Sequence, residues 1–186
     1  GGVAIVVPLM VWAVWRFGDP FSAVVLCSVV VLAVLGIVDD LHDLPARVRL
    51  PIQACSVALA LWLVPLAVPL QLHPLSLHAT WLVVGFDFVF VLWMVNLYNF
   101  MDGIDAIAAS QCVIYCVGVL LLGAPDPVSA EFVLVLLAAT VGFAWFNTPP
   151  ARIFLGDAGS GVLGLLIGVA SVVLDANGTL PLIASV

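Results

Sequence analysis

The stretch Asn96-Leu97-Tyr98-Asn99-Phe100-Met101-Asp102-Gly103-Ile104-Asp105 sets four polar side chains at three-residue steps between two apolar runs. Amides and carboxylates offer hard oxygen ligands and hydrogen-bonding groups, which is the equipment for holding a divalent cation or a polar ligand. On an uninterrupted α-helix each step falls about 60° short of a full turn, so the four groups would spread over roughly half the circumference. A break or tightened turn at Gly103 would fold the last carboxylate back towards the first amides. Two more acidic groups stand elsewhere. Asp39-Asp40 ends an apolar helix, and Phe154-Leu155-Gly156-Asp157-Ala158-Gly159-Ser160 places a carboxylate on a small-residue turn leading into another. Adjacent helical residues point about 100° apart, so Asp39 and Asp40 cannot chelate one ion symmetrically and should have different partners. One can face a metal or accept a proton while the other is held by an arginine or a backbone amide. The amides at the helix start after Gly156 form a natural seat for an anion such as phosphate.

The elements that must position these groups are membrane spans. The chain has 186 residues, 65% hydrophobic and 8% charged, and a mean hydropathy of +1.33. No soluble core of this size could bury so much apolar surface. The expected fold is therefore all-α: a polytopic transmembrane helical bundle of about seven complete spans plus a partial one. Apolar runs cover 3–17, 22–38, 50–68, 81–97, 106–123, 130–147 and 160–174, with a partial run from 179. The chain reads as a single integral membrane unit, residues 1–186, truncated at both ends. The four cysteines fall in apolar runs and read as small hydrophobes, and the loop bearing His73 and His78 reads as a plain connector.

Alternate threading of the spans puts the connectors after the second, fourth and sixth on one side. That side receives Asp39, Asp40, Asp43, Asp102, Asp105 and Asp157, together with Arg47, Arg49 and Arg152, while the opposite side receives Arg16. The positive-inside bias makes the acidic face cytoplasmic. Asp87 falls within a span; it reads either as a functional group, since charge at that depth is costly, or as a residue near the outer interface with its head in water. Carboxylates converging at a membrane face repel one another unless a cation compensates, and hard oxygen ligands favour Mg²⁺ or Mn²⁺. A divalent metal, an anion seat, two connector arginines and boundary aromatics together suggest phosphoryl chemistry on a lipid-borne substrate. The rival is a multi-span transporter or channel with an acidic ion site at the cytoplasmic face.

At these residues the sequence resembles the polyprenyl-phosphate N-acetylhexosamine-1-phosphate transferases, glycosyltransferase family 4. The resemblance runs through Gly36-Ile37-Val38-Asp39-Asp40, the stretch from Asn96 to Asp105, and Pro150-Ala151-Arg152-Ile153-Phe154-Leu155-Gly156-Asp157-Ala158-Gly159-Ser160, and the last two look most like the bacterial O-antigen and capsule initiating branch. It implies transfer of an amino-sugar 1-phosphate from a UDP-sugar to undecaprenyl phosphate, with release of UMP and Mg²⁺ bound at the cytoplasmic face of the inner membrane. Carried over by position, Asp39 and Asp40 would be catalytic, with Asp39 taking a proton from the lipid phosphate or orienting it. Asp157 would be the metal ligand, with Asp102 beside it. Asn96, Asn99, Asp102 and Asp105 would line the nucleotide-sugar pocket, Phe154 would stack on uracil, and Arg47 and Arg49 would neutralise phosphate. The expected partners are the UDP-amino sugar, undecaprenyl phosphate and the lipid bilayer, with a homodimer admitted and nucleic acid excluded. Ala106 stands where the family usually has glycine, and Leu155 where methionine is usual. A basic segment ahead of the first glycines and a histidine-rich loop beyond the last span are family features expected outside this chain.

Overall fold

The computed structural model describes residues 1–16, 18, 20–63, 70–72, 75–77, 80–123 and 125–180. Asp19, His73, His78 and the partial run beyond 180 lie outside the described residues. Among the described residues, seven helices occupy the seven expected apolar runs: α1 (Val3–Trp15), α2 (Pro20–His42), α3 (Ala46–Leu63), α4 (Thr80–Met101), α5 (Ile107–Leu122), α6 (Pro127–Asn147) and α7 (Asp157–Ala176). A short antiparallel ribbon, β1 (Leu70–Leu72) and β2 (Leu75–Leu77), pairs Leu70 with Leu77 in the α3–α4 connector. Helices α4, α6 and α7 are each long and apolar enough to cross a membrane, whereas α1 and α5 are shorter apolar helices of 13 and 16 residues.

Helix α7 is the centre of the bundle. It is apolar on every side and buried along nearly its whole length, as expected of a helix enclosed by others. Its largest interfaces are with α4 and α2, while α1 and α5 both pack on α6 at the flank. Lipid is as apolar as leucine, so close packing and hydrogen bonds, rather than exclusion from water, must hold such helices together. Small residues make that packing close. A Cβ on Gly164 would meet the Met94 carbonyl and lie 2.7 Å from Val95 Cα, so the α4 and α7 backbones touch there. On the flank, Trp12 of α1 packs on Phe132 of α6 with ring centroids 5.4 Å apart, and Arg16 pairs with Glu131 at 3.1 Å.

The outer surface is that of a membrane protein. Trp15, Trp62 and Trp81 are exposed at the ends of α1 and α3 and the start of α4, whereas Phe100, Trp145 and Phe154 are exposed at the other end. These are the two aromatic belts expected where helices leave the hydrocarbon. The buried thiol of Cys112 contacts the Thr140 hydroxyl at 3.3 Å, joining α5 to α6, and the described cysteines are all free. Asp126 caps α6, accepting from the amides of Val128 and Ser129, with Pro127 at the first helical position.

Asp87 departs from one of its two expected readings. Its head is not in water: the residue is 3% exposed, and its Oδ1 has no hydrogen-bond partner. It lies one turn before Val91, which meets Gly168 of α7, so it is enclosed by helices rather than by lipid. A carboxylate without full hydrogen bonding in such surroundings is destabilising. Asp87→Asn is expected to raise stability by about 1 kcal/mol, roughly 3 °C in a thermal melt of the detergent-solubilised protein. A fall of similar size would show that the charge is compensated.

Candidate active site at the start of α7

The end of α4, the end of α2 and the α6–α7 connector meet at the N-terminus of α7. Gly156 has φ +73°, and a Cβ there would lie 3.0 Å from Asp40 Oδ2, so glycine answers both the backbone conformation and the contact. The Gly156 amide donates to Asp102 Oδ2 at 2.9 Å and the Asp157 amide donates to Asp40 Oδ1 at 3.0 Å. The anion seat expected at this helix start is thus filled from within the chain, because two carboxylates take the amides that the helix leaves unpaired.

Asp39 and Asp40 divide their partners, as adjacent helical positions must. Asp39 is 5% exposed; its Oδ1 accepts from the Leu44 amide and its Oδ2 from Arg49 Nη1, each at 2.7 Å. The same Arg49 nitrogen lies 3.5 Å from Asp157 Oδ2, an ionic contact rather than a tight hydrogen bond. Arg49 reaches both acids because α3 begins only three residues after α2 ends and packs against it. Asp40, by contrast, is exposed.

The opening stretch bends as the site requires. Helix α4 ends at Met101, and the chain tightens through Gly103 N–H to Phe100 O at 3.5 Å and Ile104 N–H to Met101 O at 3.2 Å. Asp105 Oδ2 then accepts from the Ala151 amide at 3.0 Å, and Asn99 Oδ1 accepts from the Ser160 hydroxyl at 2.7 Å. Asn99 therefore faces the first turn of α7, and Asp105 faces the α6–α7 connector. Burial pushes the Asp102 carboxyl above its ordinary pKa, against the pull of the Gly156 and Leu155 amides. The left-handed residue of the turn is Ala106, at φ +63°. A side chain in that region costs about 1–2 kcal/mol. Ala106→Gly is accordingly expected to stabilise the protein by about 0.5–1 kcal/mol, after allowing for the greater backbone entropy of glycine. A lower melting temperature would show that the Ala106 methyl contributes packing that outweighs the strain.

Asn96 turns its amide back onto Leu92 O of its own helix at 2.8 Å, and Arg47 and Phe154 are exposed. One residue that spacing did not mark is central. Asn147, buried at the end of α6, accepts from the Ala106 amide and donates to Ile153 O, each at 3.0 Å. It ties the α4–α5 turn to the loop carrying Phe154 and Asp157. The sequence signal for it was slight: a single amide closing an apolar run. Among the described residues, no three acids, histidines or cysteines form a ready-made cage for a metal ion.

The profile of the family described as Glycosyl transferase family 4 matches residues 22–175, which include every one of these groups. The chain belongs to glycosyl transferase family 4. Among its relatives within the family, it is 30% identical over 179 residues to a probable undecaprenyl-phosphate N-acetylglucosaminyl 1-phosphate transferase of Bacillus subtilis, an alignment covering 92% of this chain and 49% of the relative. It is 32% identical over 211 residues to the phospho-N-acetylmuramoyl-pentapeptide-transferase of Deinococcus radiodurans, covering 99% of this chain and 64% of the relative. The enzyme of that name from Chlamydia muridarum is 40% identical over 111 residues, 55% of this chain and 33% of the relative. The chain thus spans between a third and two thirds of the length of these relatives.

Proposed function

We propose that the full-length protein transfers an N-acetylated amino-sugar 1-phosphate from a UDP-sugar to undecaprenyl phosphate, releasing UMP and initiating a cell-envelope polysaccharide. The carrying observation is the meeting of three acid-bearing segments around the first amides of α7, at one end of an apolar bundle. An acceptor whose tail stays in lipid presents its phosphate at that level. Arg47, Arg49 and Arg152 near this end, against Arg16 at the other, support a cytoplasmic site in a bacterial inner membrane.

In the transfer, an oxygen of the lipid phosphate attacks the phosphorus attached to the sugar, and the bond from that phosphorus to the oxygen of UMP breaks. The role of orienting the attacking phosphate or taking its proton, expected of Asp39, is assigned in this proposal to its neighbour Asp40, because Asp40 is exposed and Asp39 is buried with both oxygens engaged. Asp39 is buried against Arg49 and holds that guanidinium towards Asp157. Arg49, with Arg47 at the rim, faces the negative charge of the two phosphate-bearing substrates. Asn99 and Asp105 form the nucleotide-sugar wall, with Asn96 behind them and Phe154 exposed to stack on uracil.

Asp157 and Asp102 are the residues that would hold Mg²⁺, with Mn²⁺ as an alternative. They fit: both present hard oxygen, Asp102 is hydrogen-bonded to the residue preceding Asp157, and Mg²⁺ commonly takes one or two protein carboxylates, leaving its other positions to water and substrate phosphate. Bound there, the ion would supply charge neutralisation for the pyrophosphate and for departing UMP. The test is UMP release by the purified full-length protein supplied with undecaprenyl phosphate and a panel of UDP-amino sugars. Release that depends on the lipid supports the transfer, and no release with any sugar rejects it.

A further inference from the structure

Beside the acids, between α2, α3, α4 and α7, lies a cavity with about 10 Å³ of solvent space, lined by Asp39, Arg49, Gln53, Asn99 and Asp157 among others. That is room for about one water molecule. Gln53 is the member of this group that the proposed reaction leaves without a task. It sits one helical turn beyond Arg49 on α3, is 7% exposed, and its Oε1 is buried with no hydrogen-bond partner among protein groups. A buried amide oxygen needs a donor. Arg49 has five N–H donors in a rigid fork, and its contacts to Asp39 and Asp157 use a single nitrogen, Nη1. A water in the cavity can donate to Gln53 Oε1 and accept from the fork.

We propose that Gln53 is a positioning residue which, through one buried water, fixes the Arg49 guanidinium between Asp39 and Asp157. The residue type suits the task. Glutamine supplies an acceptor without adding a third negative charge beside the two acids, and its i, i+4 spacing from Arg49 puts both on one face of α3. A glutamate there would draw Arg49 along α3 and away from Asp157. The catalytic consequence rests on the transferase reading; the coupling between Gln53 and Arg49 does not.

Two measurements separate these. The first needs no substrate: a double-mutant cycle in the full-length protein, Gln53→Met with Arg49→Lys, read by melting temperature. Lysine keeps the charge facing Asp39 and removes the fork, so Gln53→Met is expected to cost about 3 °C less in the Arg49→Lys background than in the native one. Additive effects overturn the proposal whatever the protein catalyses. The second is UMP release. Gln53→Met, close to glutamine in shape but lacking the acceptor, is expected to lower kcat about tenfold with KM for both substrates within twofold. Gln53→Asn keeps an amide acceptor and leaves space for water, and is expected to retain at least half of native turnover. Native kcat in Gln53→Met, or equal losses in Met and Asn, overturns the proposal in favour of simple packing. Should Gln53→Met fail to fold, Gln53→Glu decides: tenfold or greater loss of turnover is expected, and native turnover overturns it.

Discussion

Asp157→Asn is expected to lower UMP release by about 10²–10³-fold while the protein stays folded, the loss typical of removing one electrostatic group that faces developing charge. The substitution keeps the shape and the Asp157 backbone amide, so the hydrogen bond to Asp40 that joins α2 to α7 survives. What is lost is the negative oxygen 3.5 Å from Arg49 at the mouth of the cavity. If Asp157 holds the metal, raising Mg²⁺ should recover part of the activity, since a neutral amide oxygen remains a weak ligand. Unchanged turnover would remove Asp157 from the metal site, leaving Asp102 and Asp40 to be tested.

Arg49→Met is expected to destabilise the protein by about 3 kcal/mol, a fall of roughly 9 °C in melting temperature. Breaking a buried ion pair from one side strands the other charge. Asp39 would keep the Leu44 amide but lose Arg49, at a position 5% exposed. The expected figure is at the low end of the range because the Arg49 side chain is itself 32% exposed and partly screened. Adding Asp39→Asn to Arg49→Met should recover much of the loss by removing the stranded charge. A melting temperature unchanged in Arg49→Met would mean that solvent reaches Asp39 and that the pair contributes little.

Much of this arrangement was legible before any coordinates. Every helix lies on an apolar run, because a chain this hydrophobic can satisfy its backbone only by folding each run into a helix. Alternate threading then put Asp39, Asp40, Asp102, Asp105 and Asp157 at one end, and the hydrogen bonds there agree. Geometry on one helix sufficed to say that Asp39 and Asp40 would part company. It marked Gly103 as a place where a turn would bring Asp105 back towards Asn99; the chain does tighten there, although the left-handed residue is Ala106. What the sequence left open was the direction each side chain takes. Spacing sets Asn96 in line with Asn99, Asp102 and Asp105, and nothing in a three-residue step reveals that its amide turns back to Leu92. Asp87 could be read as an interfacial carboxylate because the sequence does not say that α4 turns that face to α7.

By itself, then, the sequence determined the apolar helices and the shared end of the acidic motifs, since both follow from hydropathy and from periodicity along the chain, and it marked Gly103 as the place where a turn would serve the site. Tertiary structure decided the partners. Asp40 meets the amide of a residue 117 positions away, and Asp102 meets one 54 positions away. Asn147 and Gln53 acquire meaning only where separate helices close around them. Hydrogen bonds act over about 3 Å and demand direction, so these pairings depend on how closely α2 and α4 approach α7. That approach is set by contacts such as Gly164 against the α4 backbone, which no single run of sequence contains.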